Sequence, residues 1–503
     1  MSRLLEPSTL AALALLAACA APGEPGPAPA PSAVSAAPNV VVILADDLGW
    51  GDLGAYNPDS RIPTPHLDGL AAEGVRFTDA HSPSAVCTPT RYGLLTGRYC
   101  WRTRVKSGVL NGRSRALLEE GRGTLASLFR SEGYRTFGVG KWHLGLGAQQ
   151  QTDYSKPLVP GPCSAGFDHY FGIPASLDMP PYVWIEDEGV EAQPTAELAG
   201  SAHRRQNGGG FYRGGAADPG FEMDQVLPRL AERACGWIEA AAADDAPFFL
   251  YMPLTAPHTP WVPTDPFIGS TQVGWYGDFV AQVDAVVGEV VATLERTGVA
   301  GETLVVFTSD NGSHWPDADE ERWGHLANGP WRGQKAEIHE GGHRVPFLVR
   351  WPGEAPRGAV VADLVSLTDL YATIAELLGH DLQGGEAEDS FSQLAAFRGA
   401  AGGARSSMVQ HSLDGMFALR AGRWKLIEAR GTGGFTAPRR VEQEEGAPEG
   451  QLYDLQRDPG ESINLWGSES EVVARLRAEL AAIRAAGHSR GGSASEALPA
   501  SGS

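Results

Sequence analysis

The 503-residue sequence is short of basic residues, with 40 Lys and Arg against 61 Asp and Glu and a formal net charge of −21. Binding to nucleic acid depends on neutralising phosphates with Lys and Arg, so this balance argues against a nucleic-acid partner. An anionic substrate must be held by a local group of basic residues or by a metal ion, because the overall field repels it.

The apolar run near the N-terminus, residues 10–18, is too short to cross a bilayer. It follows Arg3, which is typical of an export signal. The residues Leu16-Ala17-Ala18-Cys19 resemble the bacterial lipobox, so we expect a signal peptide over 1–19, a lipid on Cys19 and an Ala/Pro-rich tether over 20–38. An ordinary signal peptide with an incidental cysteine is the alternative. Both predict an exported protein, periplasmic or attached to the bacterial outer membrane through the lipid alone.

Cysteine is also scarce, with five residues in the chain and no spacing typical of a metal site. If Cys19 carries the lipid and Cys87 has the separate role considered below, only Cys100, Cys163 and Cys235 remain. Three cysteines allow at most one disulfide within the chain, and the sequence does not choose the pair.

Acidic residues follow two buried strands of the predicted sheet. Residues 39–45 form a continuous apolar run that leads into Asp46 and Asp47, and residues 303–309 lead into Asp310 and Asn311. The carboxyl ends of such strands form the active-site edge of open α/β sheets, and their oxygens suit calcium. The alternatives are a solvated acidic turn and an Asn-Gly hairpin turn.

A second constellation surrounds Cys87, in the segment C-T-P-T-R-Y-G-L-L-T-G-R over 87–98. We expect Pro89 at the first helical position, which places residue 87 at a helix N-terminus that favours an anion. Arg91 lies four residues on and can turn back to the same place. A buried structural cysteine is the alternative.

Four further polar residues follow predicted strands or lie in loops. Lys141 and His143 are two residues apart, so an extended segment places them on one face. His258 lies between prolines in a loop, where a histidine has little reason to belong to the core. Lys335 follows Gly333-Gln334. His339 and His343 have helical spacing, but the two glycines between them argue against a histidine metal site.

These segments, in their order along the chain, resemble the type I (formylglycine-dependent) sulfatases of the alkaline phosphatase superfamily. The matching patterns are C-x-P-x-R…T-G at 87, N-V-V-V-I-L-A-D-D at 39, G-K-W-H-L-G at 140, H-x-P at 258, S-D-N-G at 309 and G-x-K…E-G-G-x-R-V-P at 333. The resemblance covers about residues 39–470. It implies hydrolysis of a sulfate ester, either of a sulfated carbohydrate or of an aryl alcohol.

The resemblance also implies a role for each residue. Cys87 would be oxidised to formylglycine (3-oxoalanine) by a formylglycine-generating enzyme, and the hydrated aldehyde would attack sulfur. The other implied roles are Asp46, Asp47, Asp310 and Asn311 as ligands of Ca²⁺, Arg91 and Lys141 as partners of the modified residue, His258, Lys335 and Ser176 as sulfate-binding residues, His258 as proton donor to the leaving oxygen, and His143 as the base that acts when sulfate is eliminated.

Two other functions fit parts of the sequence. A phosphonate or phosphate ester hydrolase could use the same modified cysteine and fold. A surface-anchored binding lipoprotein would need a missing catalytic residue, and none is missing.

The predicted fold class is α/β, with a large domain over 39–395 whose mostly parallel central sheet is flanked by helices. A small C-terminal α+β domain with an antiparallel sheet follows over 396–486, and a disordered tail over 487–503. Residues 186–222 are Gly-rich and patternless, which predicts an insertion loop near the mouth of the site. The helix predicted over 278–297 has an apolar stripe that belongs to the core.

Overall fold

The structure is a computed structural model that describes residues 37–201, 210–244 and 246–490. The predicted signal peptide, Cys19, tether residues 20–36 and tail residues 491–503 lie outside the described residues. Among the described helices, none is both long and apolar enough to cross a membrane. The described residues from 37 onward form one compact unit, so the domain boundary at 395 stays a prediction.

Eighteen strands and ten helices form over the described residues. The strands are β1 Asn39–Asp46, β2 Val75–Phe77, β3 Ala80–His81, β4 Arg135–Lys141, β5 His169–Ile173, β6 Ile185–Glu186, β7 Gly189–Val190, β8 Ala196–Leu198, β9 Gly215–Ala217, β10 Phe248–Pro257, β11 Thr303–Ser309, β12 Phe347–Arg350, β13 Ala359–Val361, β14 Val365–Ser366, β15 Ser407–His411, β16 Phe417–Ala421, β17 Trp424–Ile427 and β18 Gln451–Asp454. The helices are α1 Pro65–Glu73, α2 Cys87–Thr96, α3 Leu125–Ser131, α4 Val226–Ala242, α5 Gly274–Arg296, α6 Asp317–Trp323, α7 Glu340–His343, α8 Asp369–Leu378, α9 Leu394–Phe397 and α10 Ser470–Ala486.

Ten strands make one sheet, in the order β13-β2-β12-β11-β1-β10-β4-β5-β6-β7. The five central strands from β11 to β5 run parallel, and β1 pairs with β10 on one side and β11 on the other. Strands β12 and β6 pair antiparallel with the ends of this parallel group. The mostly parallel sheet predicted for the large domain is confirmed, and it aligns the carboxyl ends of five strands at one edge.

The central strand is apolar on both faces because each face is covered by helices. Val40, Val42 and Leu44 pack into a core shared with residues of α2, α3 and α8. Val41 and Ile43 pack into a second core, shared with α1, α4 and α5. Every residue of β1 is buried, as expected of a strand in the middle of a parallel sheet.

The stripe on α5 is core, as predicted. Its members are all buried, namely Phe279, Val280, Val283, Val286, Val287, Val290 and Leu294. The helix begins four residues earlier than predicted and ends at Arg296. Helix α4 runs from Val226 to Ala242 and packs on the same face of the sheet.

The small antiparallel sheet is also confirmed, with strands in the order β15-β16-β17-β18. Strand β15 was not predicted. Helix α10 packs on this sheet through Val473, Leu476 and Leu480. The tail does not begin at 487 as a free segment, because the backbone N–H groups of Ser489 and Arg490 both donate to the carbonyl of Glu388 at 3.0 Å.

The prediction of a patternless loop over 186–222 is wrong in part. Strand β7 extends the large sheet beyond β6, and β8 pairs antiparallel with β9. These strands are two or three residues long, so they carry no alternation that a sequence pattern could show. Of the described cysteines, Cys87, Cys100, Cys163 and Cys235 are all free thiols.

Candidate active site

Cys87 is the first residue of α2 and is buried. The helix therefore starts two residues before the predicted point, and Pro89 occupies its third position. This is tolerated because the first turn of a helix has N–H groups without intrahelical partners. Burial raises the pKa of the Cys87 thiol, although Lys141 and Lys335 oppose the shift. The unmodified side chain is therefore a thiol, not a thiolate.

Four oxygen-bearing side chains meet at the ends of β1 and β11. The Asp47 backbone N–H donates to Asp310 Oδ1 at 3.2 Å, and Asn311 Nδ2 donates to Asp47 Oδ1 at 2.7 Å. Burial and the nearby Asp46 raise the pKa of Asp310 to about 6, against the effect of Arg91. Parallel pairing of β1 with β11 aligns Ala45 with Ser309, which brings the two predicted acidic segments together.

Gly312 does not form a hairpin turn; it allows the backbone after β11 to pack closely against the backbone at Gly341. A Cβ atom there would lie 1.9 Å from the carbonyl oxygen of Gly341. The Asn311-Gly312 pair therefore ends β11 beneath another backbone segment, which corrects the alternative reading of a hairpin turn.

Three buried cations balance these carboxylates. Arg91 donates from Nε and Nη2 to Asp310 Oδ2 at 3.1 and 2.8 Å, and from Nη1 to the Lys141 carbonyl at 2.8 Å. Lys141 Nζ lies 2.7 Å from Asp46 Oδ2, and Lys335 Nζ lies 2.7 Å from Asp47 Oδ2. Burial opposes the charged form of Lys335, but Asp47 holds its pKa above the usual range.

The contacts of two histidines assign their neutral tautomers. His143 Nε2 lies 2.8 Å from the Leu110 carbonyl, while its Nδ1 is buried without a partner. Because a carbonyl only accepts, Nε2 carries the proton and Nδ1 keeps its lone pair. His258 has the opposite arrangement, with Nδ1 2.5 Å from the Thr259 carbonyl and Nε2 3.7 Å from Asp47 Oδ2.

Both imidazoles are neutral in the free site. Burial, together with Lys141 and Arg91, holds the pKa of His143 well below its usual value. Burial and Lys335 lower the pKa of His258 to about 4, although the carboxylates of Asp47 and Asp178 oppose the shift. A histidine with a depressed pKa and an unpaired nitrogen is an available base at neutral pH.

Three of the six non-glycine residues with a left-handed backbone in the described part of the chain lie at this site. Asp47 has a φ of 66°, His143 a φ of 56° and Ala336, next to Lys335, a φ of 77°. A non-glycine residue in the left-handed region costs about 1–3 kcal/mol, so the surrounding contacts must hold these residues in place. The Thr88 hydroxyl does so at one point, donating to the His143 carbonyl at 3.0 Å.

A cavity of about 700 Å³ opens onto the group, and Cys87, Asp47, His258, Lys335 and Ser176 are part of its wall. Sequence analysis missed the other prominent lining residues: Asp178, Phe211, Arg213, Trp261, Tyr276 and Phe435. Phe211 and Arg213 lie in the segment predicted to be an insertion near the mouth, which was the only available signal. Phe435 comes from the C-terminal sheet region, and no local pattern connects it with Cys87.

Similarity to known proteins identifies the family. A family model described as Sulfatase matches residues 38–380. The N-acetylgalactosamine-6-O-sulfatase of Bacteroides thetaiotaomicron is 34% identical over 481 residues, covering 89% of this chain and 93% of that protein. Arylsulfatase A of Homo sapiens is 34% identical over 456 residues, covering 86% and 84%.

The chain belongs to the sulfatase family.

A solved structure from work on glycosaminoglycan metabolism by Bacteroides thetaiotaomicron supports the same assignment. It superposes with a TM-score of 0.80 at 33% identity, covering 89% of this sulfatase and 99% of that chain. The architecture of a large mixed sheet and a small antiparallel sheet is shared. The reaction class of this sulfatase is hydrolysis of a sulfate ester.

The oxygen cluster of the sulfatase suits a hard cation. Asp46 Oδ1 and Asn311 Oδ1 are buried and have no hydrogen-bond partner. Buried unpaired oxygens are costly unless another group satisfies them. Three carboxylates and an amide oxygen match the ligand preference of calcium, so these residues fit the ion that the family resemblance implied.

A second group of buried metal-binding side chains in the sulfatase does not suit a metal. His81, Glu340 and His343 lie close enough to share an ion. However, the Lys425 ammonium lies 3.0 Å from His343 Nε2 and 3.1 Å from Glu340, where it supplies the positive charge. His339 instead contacts Gln451 at 3.2 Å, so it does not converge with His343 on one site.

Proposed function

We propose that this sulfatase cleaves a sulfate ester of a carbohydrate, using a formylglycine made from Cys87 and a calcium ion held by Asp46, Asp47, Asp310 and Asn311. The observation that carries the proposal is that Cys87 shares one cavity with Lys335 and His258. A nucleophile position, a sulfate-binding cation and a proton carrier therefore face the same space. The raised pKa of the unmodified thiol makes Cys87 itself a poor nucleophile.

Formylglycine, once hydrated, supplies the hydroxyl that attacks sulfur, and calcium supplies positive charge for the sulfate oxygens. Lys335 binds the sulfate group from the cavity wall and counters its charge. Arg91 donates hydrogen bonds to Asp310 and to the Lys141 carbonyl. It therefore holds helix α2, which begins at residue 87, in a fixed position relative to the proposed metal ligands. Lys141 stabilises negative charge that develops beside Asp46.

The two histidines take different protons. His258 binds the leaving-group side of the sulfate. In its protonated, charged form it donates a proton to the departing oxygen. The negative charge of a bound sulfate ester favours that charged form. His143, with its free Nδ1, accepts a proton from residue 87 when sulfate is released. Ser176, whose hydroxyl is buried without a partner, completes the binding of sulfate oxygens.

The choice of a carbohydrate rests on the relatives. Two of the similar proteins are named as sulfatases of N-acetylgalactosamine 6-sulfate, from Bacteroides thetaiotaomicron and Sus scrofa. Arylsulfatase A and steryl-sulfatase are also similar, at 34% identity, so a screen must include aryl sulfates. Hydrolysis of a sulfate and a phosphate ester of the same sugar, measured in parallel, tests the phosphate ester hydrolase alternative.

Conversion of Cys87 is the first test. We expect co-expression with a formylglycine-generating enzyme to convert residue 87 to the aldehyde, seen by peptide mass spectrometry, and sugar-sulfatase activity to rise in proportion. Cys87→Ala should abolish activity, while the matched control Cys235→Ala on α4 should keep it. Full activity in a preparation whose residue 87 remains a thiol would refute the proposed nucleophile.

We also propose that the protein is exported and anchored by a lipid on Cys19, on the basis of the lipobox-like residues 16–19. An export route is consistent with a substrate such as a sulfated glycan outside the cell. Partitioning into a detergent phase that is lost in Cys19→Ala would support the anchor.

A further inference from the structure

The cavity that Cys87 lines has an aromatic wall contributed by the C-terminal part of the chain. Phe435 lies between β17 and β18 and has 44% of its surface exposed. Among the large exposed hydrophobic side chains of the described residues it is the only aromatic one. Its ring lies 4.7 Å from the His314 ring, and both side chains line the cavity.

The loop that carries Phe435 is held firmly on both sides of it. The Thr436 backbone N–H donates to Glu337 Oε1 at 2.9 Å, and Gln334 Nε2 donates to Thr436 Oγ1 at 3.0 Å. On the other side, a Cβ atom at Gly434 would lie 2.5 Å from the Ala336 carbonyl oxygen. The loop thus packs against the segment that carries Lys335. Phe435 therefore presents an exposed aromatic ring in a fixed position in the wall of the cavity, where a ligand can contact it.

A polar pair lines the same cavity. Asp178 is 4% exposed, and one of its carboxylate oxygens, Oδ2, is paired with the Arg213 guanidinium. The other oxygen, Oδ1, is buried and has no partner. The Arg213 backbone N–H also donates to the Asp178 carbonyl at 3.0 Å, so the arginine fixes the orientation of the aspartate. An unpaired carboxylate oxygen can only accept, and a ligand hydroxyl would satisfy it.

An apolar ring surface and a hydroxyl acceptor in one cavity fit a ligand that is apolar on one face and hydroxylated at its edge. A pyranose ring has both properties, whereas an unsubstituted aryl sulfate lacks the hydroxyl. We propose that this cavity holds one pyranose ring of the substrate, with Phe435 stacked on its apolar face and Asp178 accepting a hydrogen bond from a ring hydroxyl. The inference rests on the proposed sulfatase function and assigns its substrate class from this chain's own side chains.

Steady-state kinetics on N-acetylgalactosamine 6-sulfate and 4-nitrophenyl sulfate test the aromatic contact. We expect Phe435→Ala to raise KM for the sugar sulfate about 3- to 10-fold and to change kcat less, because stacking is equal in ground and transition states. Phe435→Trp should restore KM. The control is Ile463→Ala, which shortens a 61% exposed side chain of the described surface outside the cavity lining.

The same two substrates test the hydroxyl contact. Asp178→Ala should raise KM for the sugar sulfate by about 10-fold or more relative to that for the aryl sulfate, whereas a weaker proton donor at His258 would lower kcat. Asp178→Asn keeps an acceptor oxygen and should recover part of this ratio. The control is Asp153→Asn at an exposed position, and melting temperatures exclude misfolding.

The outcomes separate the two proposals. A changed sugar-to-aryl ratio in Asp178→Ala with a raised KM in Phe435→Ala supports the pyranose subsite. If the wild type hydrolyses the sugar sulfate, but neither the sugar-to-aryl ratio in Asp178→Ala nor the KM in Phe435→Ala changes, the subsite is overturned and the proposed function stands. A fully converted wild-type enzyme without activity on either ester, or on any sugar sulfate of the screen, overturns the proposed function and the subsite with it.

Discussion

At the scale of single residues, hydrogen-bond partners distinguish the two histidines of the proposed site. His143 contacts a carbonyl through Nε2, and His258 contacts one through Nδ1. Each imidazole therefore offers a different nitrogen to the site. His143 has its free nitrogen buried among cations, while His258 lines the open cavity, and this difference supports the separate roles proposed for them.

The role of His258 predicts a dependence on the leaving group. A general acid matters most when the departing alcohol is a poor leaving group, as a sugar hydroxyl is, and least for nitrophenolate. We expect His258→Gln to lower kcat/KM about 10²–10⁴-fold for a sugar sulfate and far less for 4-nitrophenyl sulfate. His169→Gln, at an exposed histidine, is the matched control. Equal losses on both substrates would assign His258 to sulfate binding alone.

At the scale of elements, the site depends on the parallel alignment of strands whose carboxyl ends share an edge. Strands β1 and β11 end at the proposed metal ligands, β4 ends at Lys141, and β10 leads directly to His258. Helix α2 brings residue 87 to the same edge by its N-terminus. The chemistry is thus assembled from segments more than two hundred residues apart in the chain.

Asp310, which directly follows strand β11, supplies one of the three carboxylates of the proposed metal site. We expect Asp310→Ala to lower calcium affinity by more than the about 10–100-fold that changes outside the ligand set cause, because it removes one of three charged oxygen ligands. Equilibrium dialysis with metal analysis measures this without reference to activity. Asp59→Asn, an exposed aspartate in a loop, should bind calcium as the wild type does. Undiminished, stoichiometric calcium in Asp310→Ala would place the ion elsewhere.

At the scale of the whole molecule, a buried ionic group connects the small sheet to the large one. Lys425 of β17 lies 3.1 Å from Glu340 of α7 and 2.8 Å from Glu461. Burial and Glu340 raise the pKa of Glu461 to about 7, although Lys425 opposes the shift, and Lys425 holds the pKa of Glu340 well below its usual range. Lys425 is thus the cation that pairs with both buried carboxyl groups, and Arg344 is a second partner of Glu340 at 3.0 Å.

Removing that charge should destabilise both parts together. Breaking a buried ion pair on one side costs about 3–5 kcal/mol, which corresponds to a melting temperature lower by about 3–5 °C for a protein of this size. We expect Lys425→Met to show this shift in one cooperative transition by calorimetry. Lys156→Met, at an exposed lysine, should melt as the wild type does. Two separate transitions, with only one displaced, would show that the sheets unfold independently.

Much of this molecule could be predicted from sequence because its signals are local. A run of β-branched residues predicted β1, and an apolar stripe predicted α5. The proposed ligands and catalytic residues stand next to strand ends, and the structure brings Asp46, Asp47, Asp310 and Asn311 together. Strands β7 to β9 and β15 were missed, since strands so short, or so weakly patterned, are defined by their pairing partners and not by their own residues.

The sequence by itself indicated the family and predicted the positions of the reactive groups, because each motif is a contiguous set of residues with one local geometry. Only the tertiary structure decided which nitrogen of each histidine is free, which carboxylate is paired with which cation, and which oxygens are left without partners. It alone placed Phe435 and Asp178 in the wall of one cavity. Many of these contacts join residues far apart in the chain, such as Arg91 with Asp310 and Lys335 with Asp47, and their energies depend on burial and distance, which no local pattern encodes.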